Sequence, residues 1–531
     1  MSSTQPQSLS PLRSSRFGPR RGLVAAALVV LLAACGQSPS IMLSLDTATA
    51  SVLRGGDVDV MVTLTRAGGA SADVSLSVTG QPANVTAQFA PVTLSGGTLS
   101  STLTLSAAAA AVAGSYDLVV TATGTGLADS ADLTLEVTGL TVTGRVVSIL
   151  EAPVAGVAVR SQGDSAITNA DGSFTLTDLS VPYDLAIWNQ ADSWVQIYEG
   201  LTTADAVFSP IAGFLSPGSP RTATVSGNLT GGVIPVPANQ VVMVCAEGID
   251  GLVIGCDPVA PTESAYSMSV QWLGSATREI RVHALQVERD GAGYPVVYPG
   301  HGVATLTVTD TLASVANIDL GAALSTTTVD VDVVSPVAIA ATIGAVQFGS
   351  NLAVPVAMVN SAAVAHEILM PVIADTTYTF AAAVALEQFG WQAEVTGSTA
   401  TVNVPAPLLL SAPADLATNV TLTTDFSVST SMVGPVTYMW DEDLGDLMVA
   451  VTTMAPTANI PDLAPYGLAL PAGTDFSWQA LGQSGDSVEA GIEGILDYYN
   501  FLLMLTQSSP GLKGEGSFAF TATDRAFTTA P

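Results

Sequence analysis

The chain has 531 residues, long enough for several domains of ordinary size, and carries 45 acidic against 14 basic residues, a formal net charge of −31. An acidic surface of this kind repels nucleic acid and anionic lipid headgroups, so neither is expected as a partner. Lysine occurs once, at Lys513, and the acidic residues form no long block, which reads as solvated surface and not as an interaction tail.

The N-terminus holds Arg13, Arg16, Arg20 and Arg21 and no acidic residue before an apolar run from Leu23 to Ala34. Twelve residues fall short of the roughly twenty that a spanning helix needs, so the run is expected to be the core of a secretory signal. It ends in Leu32-Ala33-Ala34-Cys35. That segment resembles a bacterial lipobox, which implies cleavage after residue 34, acylation of the Cys35 sulfur and export of a lipid-anchored chain. Gly36 follows, and the absence of Asp there implies, by the same resemblance, the outer membrane or cell surface. Removing residues 1–34 leaves ten basic against forty-five acidic residues. Past Cys35, Val333–Val346 and Leu352–Val364 are the most apolar stretches. Both are interrupted, by Ser335, Pro336, Pro355, Asn360 and Ser361, and read as buried strands.

After a tether over 35–40, the pattern has period two. Val58, Val60, Val62 and Leu64, then Val74, Leu76 and Val78, then Tyr116, Leu118 and Val120, then Leu133, Leu135 and Val137 alternate with polar neighbours. Short strands at this spacing, separated by Gly- and Pro-containing turns, predict all-β architecture built from antiparallel β-sandwich domains in tandem. The stretch Leu76-Ser77-Val78-Thr79-Gly80-Gln81-Pro82, running on to Phe89, together with Gly114-Ser115-Tyr116-Asp117-Leu118, resembles a bacterial immunoglobulin-like module over 41–138. The next module, 140–208, contains Val142-Thr143-Gly144-Arg145-Val146, Pro153-Val154-Ala155-Gly156-Val157 and Thr168-Asn169-Ala170-Asp171-Gly172-Ser173-Phe174. It resembles the carboxypeptidase regulatory-like domain, a transthyretin-like sandwich that is accessory to catalysis.

Val225-Ser226-Gly227-Asn228-Leu229 echoes the opening of that module and predicts a diverged second copy over 220–320. Within it, Asp250-Gly251 is a two-residue hairpin signal. A turn there pairs residues whose numbers sum to 501, so that Cys245 faces Cys256. Counting out from the turn makes them a hydrogen-bonded pair with Cα atoms about 5.5 Å apart, a spacing that permits a disulfide in an oxidising compartment. Residues 325–407 read as a further β module without a recognised family. Residues 411–531 contain Leu470-Pro471-Ala472-Gly473-Thr474-Asp475-Phe476-Ser477-Trp478 and resemble a fibronectin type III-like domain. Ile492, Ile495, Leu496, Tyr499, Leu502 and Leu503 interrupt its β rhythm at helical spacing.

No catalytic constellation is legible. His283, His301 and His366 are far apart in sequence and lie in no zinc-binding motif, and Gly482-Gln483-Ser484-Gly485 lacks the spacing of a nucleophile elbow. Asp441, Glu442, Asp443 and Asp446 form the densest carboxylate cluster and could hold Ca²⁺, against the simpler reading of a solvated loop; no other cofactor is expected. Asp164, Asp171 and Asp178 are a weaker version of the same idea. Trp188, Asn189, Trp194 and Tyr198, with Gln190, Asp192 and Phe208 nearby, are candidates for a carbohydrate-binding face, against the reading that most of these rings are core. The leading expectation is a non-enzymatic cell-envelope scaffold or adhesion protein, anchored by its N-terminal lipid, with an envelope polysaccharide or surface protein as partner. The alternatives are sugar binding, and an accessory subunit or enzyme with a site hidden in 210–407.

Overall fold

The computed structural model describes residues 38–148, 152–211, 220–249, 251–349, 351–384, 387–492 and 512–531. The signal segment, Cys35 and most of the 491–506 stretch therefore lie outside the described residues; helix is seen at 488–492. Among the described residues the regular secondary structure is almost entirely strand, and no helix is long and apolar enough to cross a membrane.

The first sandwich follows directly from alternation. In strand Asp57–Ala67, Val60, Val62 and Leu64 are buried while the residues between them are exposed. It pairs with Ser40–Leu45 and Ser100–Ala107 in one antiparallel sheet, completed by Val85–Ala90. The facing sheet runs Thr49–Leu53, Leu127–Thr138, Gly114–Gly124, Val74–Thr79 and Thr93–Leu94, with a parallel pairing between Thr49–Leu53 and Leu127–Thr138. The apolar faces close on one another in a core confined to residues 43–137. This sandwich is fixed to the next by the Arg54–Asp178 ion pair at 2.9 Å and by the Val181 N–H donating to the Arg54 carbonyl at 2.8 Å. Gly55, at φ +87°, sits so close to the Val181 carbonyl that any side chain there would collide with it.

The remaining modules are not beads on a string. Fourteen strands form one sheet. Along its main path come Asp164–Ile167, Ala158–Ser161, Tyr183–Asn189 and Trp194–Leu201, then Met448–Thr453, Val436–Glu442, Asp475–Gln483 and Glu515–Phe520, then Gln388–Val395, Thr376–Val384, Ala341–Phe348 and Leu352–Val359. The C-terminal segment thus lies between the 140–208 and 325–407 segments. It joins the first by parallel pairing of Trp194–Tyr198 with Met448–Thr452, and the second by antiparallel pairing of Gln388–Gln392 with Glu515–Ala519. The apolar cores follow the sheet. One buried cluster combines Phe174, Tyr198 and Phe208 with Ile343, Phe389 and Trp391 and with Met439, Leu481 and Phe518.

The 220–320 segment packs against the 325–407 segment in the same manner. Leu285, Val287 and Tyr298 share a buried cluster with Val329, Phe348, Val354 and Ile368. The Arg289 guanidinium donates to the carbonyls of Val356 at 2.6 Å and Pro355 at 3.0 Å, and the Tyr298 hydroxyl donates to the Leu369 carbonyl at 2.9 Å. Tyr294 and His366 bridge the same boundary at 2.7 Å.

Cys245 and Cys256 are joined in a disulfide, on the register expected. The turn is corrected. The Ala246 N–H donates to the Gly255 carbonyl at 2.9 Å, but Val253–Ile254 then leaves the ladder to pair with Gln271 and Trp272 in the opposite sheet, and Glu247 and Gly248 pair instead with Arg281 and Ile280. The strands ending at Gly248 and beginning at Val253 thus belong to different sheets and do not continue the expected hairpin ladder; Asp250 itself lies outside the described residues. This changes the parity of the ladder. The bonded pair is 246 with 255, and the cysteines occupy the closer, non-bonded kind of site, with Cα atoms 4.1 Å apart.

At the seam between Trp194–Leu201 and Met448–Thr453, the fully buried Gln196 donates through Nε2 to Thr452 Oγ1 at 2.9 Å, which in turn bonds Thr437 Oγ1 at 2.8 Å. Thr452→Val removes this acceptor and breaks the buried Gln196–Thr452–Thr437 row. A loss of about 1–3 kcal/mol in urea unfolding is expected. Loss of less than a few tenths would show that this network does not hold the seam.

Candidate functional site

The sequence-derived sugar-binding set lies on two paired strands, with Asn189 opposite Trp194, but two of its rings are core. Trp194 and Tyr198 alternate with Val195 and Ile197 on a strand buried on both faces, and Tyr198 packs at a tilt in the core against Phe208 at 5.1 Å. This corrects the expectation of an exposed aromatic face, because a ring without an open side cannot lie on a sugar. Trp188 is half-buried against Tyr466, with ring centroids 5.3 Å apart. Gln190 beside it donates to the Gly467 carbonyl at 3.1 Å, so this corner receives the one-turn 3₁₀ helix Ala464–Tyr466 of the C-terminal segment. Asn189 is held by Asp192 at 2.6 Å.

The acidic cluster at 441–446 is a strand end and its turn. Asp441 pairs with Met448 across the hairpin, the Glu442 N–H bonds the Leu447 carbonyl at 3.0 Å, and Asp441, Asp443 and Asp446 are exposed. Partial burial, with Asp443 and Glu442 close by, holds the Asp441 carboxyl above its ordinary range. Asp164 and Asp171 instead accept local bonds from Thr177 and Ser173, and Asp178 pairs with Arg54. Among the described residues no group of three or more His, Cys, Asp and Glu side chains is arranged to hold a metal ion.

The fold does assemble a polar group that sequence reasoning missed. Strands Gln240–Gly248, Thr277–Arg289 and Pro295–Thr309 are neighbours in one antiparallel sheet. Pairing of Glu247 with Arg281 and of Cys245 with His283 places Glu247 beside His283 on the diagonal, and the next strand brings in His301. His283 Nε2 lies 3.0 Å from Glu247 Oε2, and His283 Nδ1 lies 3.3 Å from His301 Nε2. Arg281 Nη1 lies 3.2 Å from the same Glu247 oxygen. Phe348, from the 325–407 segment, stacks on His301 with centroids 5.3 Å apart and packs at a tilt on His283 at 4.2 Å. Nothing in the sequence spacing of 247, 283 and 301 reveals this grouping; only the strand register does.

Chemically the group is a carboxylate relaying to two imidazoles at a boundary between modules. Among the described residues neither His283 nor His301 bonds a serine, threonine or free cysteine, so the row ends without a nucleophile. Burial and the neighbouring His283 push His301 down to about 4. Burial would raise the Glu247 carboxyl, but hydrogen bonds and charge from His283 and Arg281 outweigh it and hold it below its ordinary value. His366, the third histidine, is structural. Its Nε2–H donates to the Ala363 carbonyl at 2.9 Å with Thr342 Oγ1 at 3.1 Å, and Nδ1 accepts from the Tyr294 hydroxyl. Burial lowers its pKa.

The group gives a signed pH dependence. His301 is depressed on folding, so below about 6.5 the unfolded chain takes up the proton first and stability falls as pH drops toward 4. Glu247 adds a further loss as pH falls below the 4.5 of a free carboxyl. Urea midpoints measured from pH 7.5 to 4 are therefore expected to decline, and His301→Gln is expected to flatten the part above pH 4.5. An unchanged slope in the variant would contradict this account.

No protein-family model matches the chain, and no curated protein matches it. Among solved structures, domains 5–6 of the S-layer protein SbsC align over 51% of this chain and 99% of their own, at 14% identity and a TM-score of 0.16. A structure from a 1.5-MDa bacterial ice-binding adhesin aligns over 51% and 98%, at 14% identity and 0.13, and titin domains I67–I69 over 51% and 99%, at 13% and 0.13. Overlap this slight carries no argument about function. The fold stands on its own sheets: among the described residues, β-sandwich modules built mainly of antiparallel strands.

Proposed function

We propose that this chain is a non-enzymatic, lipid-anchored cell-envelope protein that serves as a scaffold, held by Cys35 at the outer membrane or cell surface and presenting its β-modules to an envelope partner. The observation that carries this reading is the continuous fourteen-stranded sheet. Modules joined only by linkers move independently, whereas paired strands and a shared core join the described residues of the 140–208, 325–407 and 411–531 segments in a way suited to bearing load or holding a partner at fixed geometry. The burial of Trp194 and Tyr198 and the packing of Trp188 on Tyr466 favour this scaffold over sugar stacking by the 188–198 region. The acidic surface keeps such an assembly soluble and disfavours nucleic acid.

Expression of the full chain with radiolabelled palmitate tests the anchor. The wild-type chain is expected to take up label and sediment with membranes, and Cys35→Ser to lose both; an unlabelled wild-type chain would remove the anchoring half of the proposal. Immobilised residues 37–531 are further expected to retain an envelope protein or polysaccharide from detergent extracts of the host. Turnover of that partner into smaller products would replace the scaffold reading with an enzymatic one.

A further inference from the structure

A cleft of about 270 Å³ opens in the 325–407 segment, lined by Gln347, Gly349, Asp375, Thr377 and Glu394. It is built on the sheet. Gln347 and Thr377 are direct cross-strand partners, and Glu394 lies on the next strand, which pairs with Thr376–Val384. Its size is just below the ~300 Å³ at which sites for drug-sized ligands begin, which suits a single small ring.

Three properties of the lining point to a ligand. Asp375 and Glu394 form no ion pair among the described residues, and no Lys or Arg lines the cleft, so two negative charges face it without a counter-charge. Gln347 is only 3% exposed. One end of its carboxamide is held, accepting from the buried Thr379 hydroxyl at 2.7 Å, and the amide nitrogen has no partner among the described residues. The nitrogen is thus a donor open to a group in the cleft. Thr377 adds a hydroxyl with no other bond among the described residues.

We propose that this cleft binds a hydroxylated primary amine of the size of a single amino sugar. The ammonium sits between the Asp375 and Glu394 carboxylates in charge-assisted hydrogen bonds. A ring hydroxyl oxygen accepts from the Gln347 amide, and a second hydroxyl exchanges a bond with Thr377. Neither a metal ion nor a simple alkylamine uses all four groups, because an amide N–H repels the first and finds no acceptor on the second. Gly349 sets the wall. A side chain there would press on Glu247 Oε1, which links the rim of the cleft to the row of Glu247, His283 and His301.

Titration calorimetry with glucosamine, glucose and cadaverine on residues 37–531 tests this. Glucosamine is expected to bind in the millimolar range, with glucose and cadaverine each weaker by about tenfold or more, the worth of one charge-assisted bond. The double variant Asp375→Asn, Glu394→Gln is expected to lose glucosamine by at least the same factor with an unchanged thermal midpoint, since both side chains are exposed. Absence of glucosamine binding, or equal binding by the variant or by glucose, would overturn the site. Equal binding of cadaverine would overturn the role given to Gln347.

Discussion

The structure depends on strand pairing between segments that are far apart in the chain. The strand at 194–201 would be an exposed sheet edge if the 140–208 module stood alone, and so would the strand at 388–395 in the 325–407 module. Open edges carry unpaired N–H and C=O groups and are managed in natural proteins by covering them. Here the C-terminal segment covers both, with Met448–Thr453 on one side and Glu515–Phe520 on the other. The buried threonine and glutamine side chains at the first seam make that pairing specific, since they need one another in one register.

This constraint reorders the molecule. In sequence the modules run 140–208, 220–320, 325–407 and 411–531, but along the sheet the last stands between the first and the third. The 220–320 segment attaches through the 325–407 segment by Arg289, Tyr298 and a common apolar cluster. Among the described residues the N-terminal sandwich keeps a core of its own, and so does the 220–320 segment; the former is tied through Arg54 and Gly55 to the 178–181 turn. A body assembled in this way transmits force through hydrogen-bond ladders and not through linkers, and it brings polar groups from separate modules to common boundaries.

The polar sites follow from the same assembly. Phe348 of one module packs on the histidines of another, and Gly349 next to it forms part of the wall of the acidic cleft. Residues that looked functional for their chemistry alone, such as Trp194, Tyr198 and the acids at 441–446, take ordinary structural positions instead. Aromatic rings are most often core because they bury so much apolar area, and carboxylates at a hairpin end are most often solvated.

What the sequence determined by itself was local: the period-two alternation placed Val60, Val62 and Leu64, or Leu118 and Val120, on the buried face of their strands, and the sum of 501 set Cys245 opposite Cys256. Those features are legible because side-chain direction along a strand is a property of neighbouring residues. The rungs expected next to Asp250-Gly251 do not form, because pairing of 253–254 with 271–272 in the other sheet outweighs a favourable dipeptide. The spatial order of the modules, the meeting of Glu247 with His283 and His301, and the cleft around Gln347 were decided only by tertiary structure. Each rests on which strands meet, across tens of residues for the two polar groups and hundreds for the module order, and strand edges offer the same backbone groups whatever the local sequence.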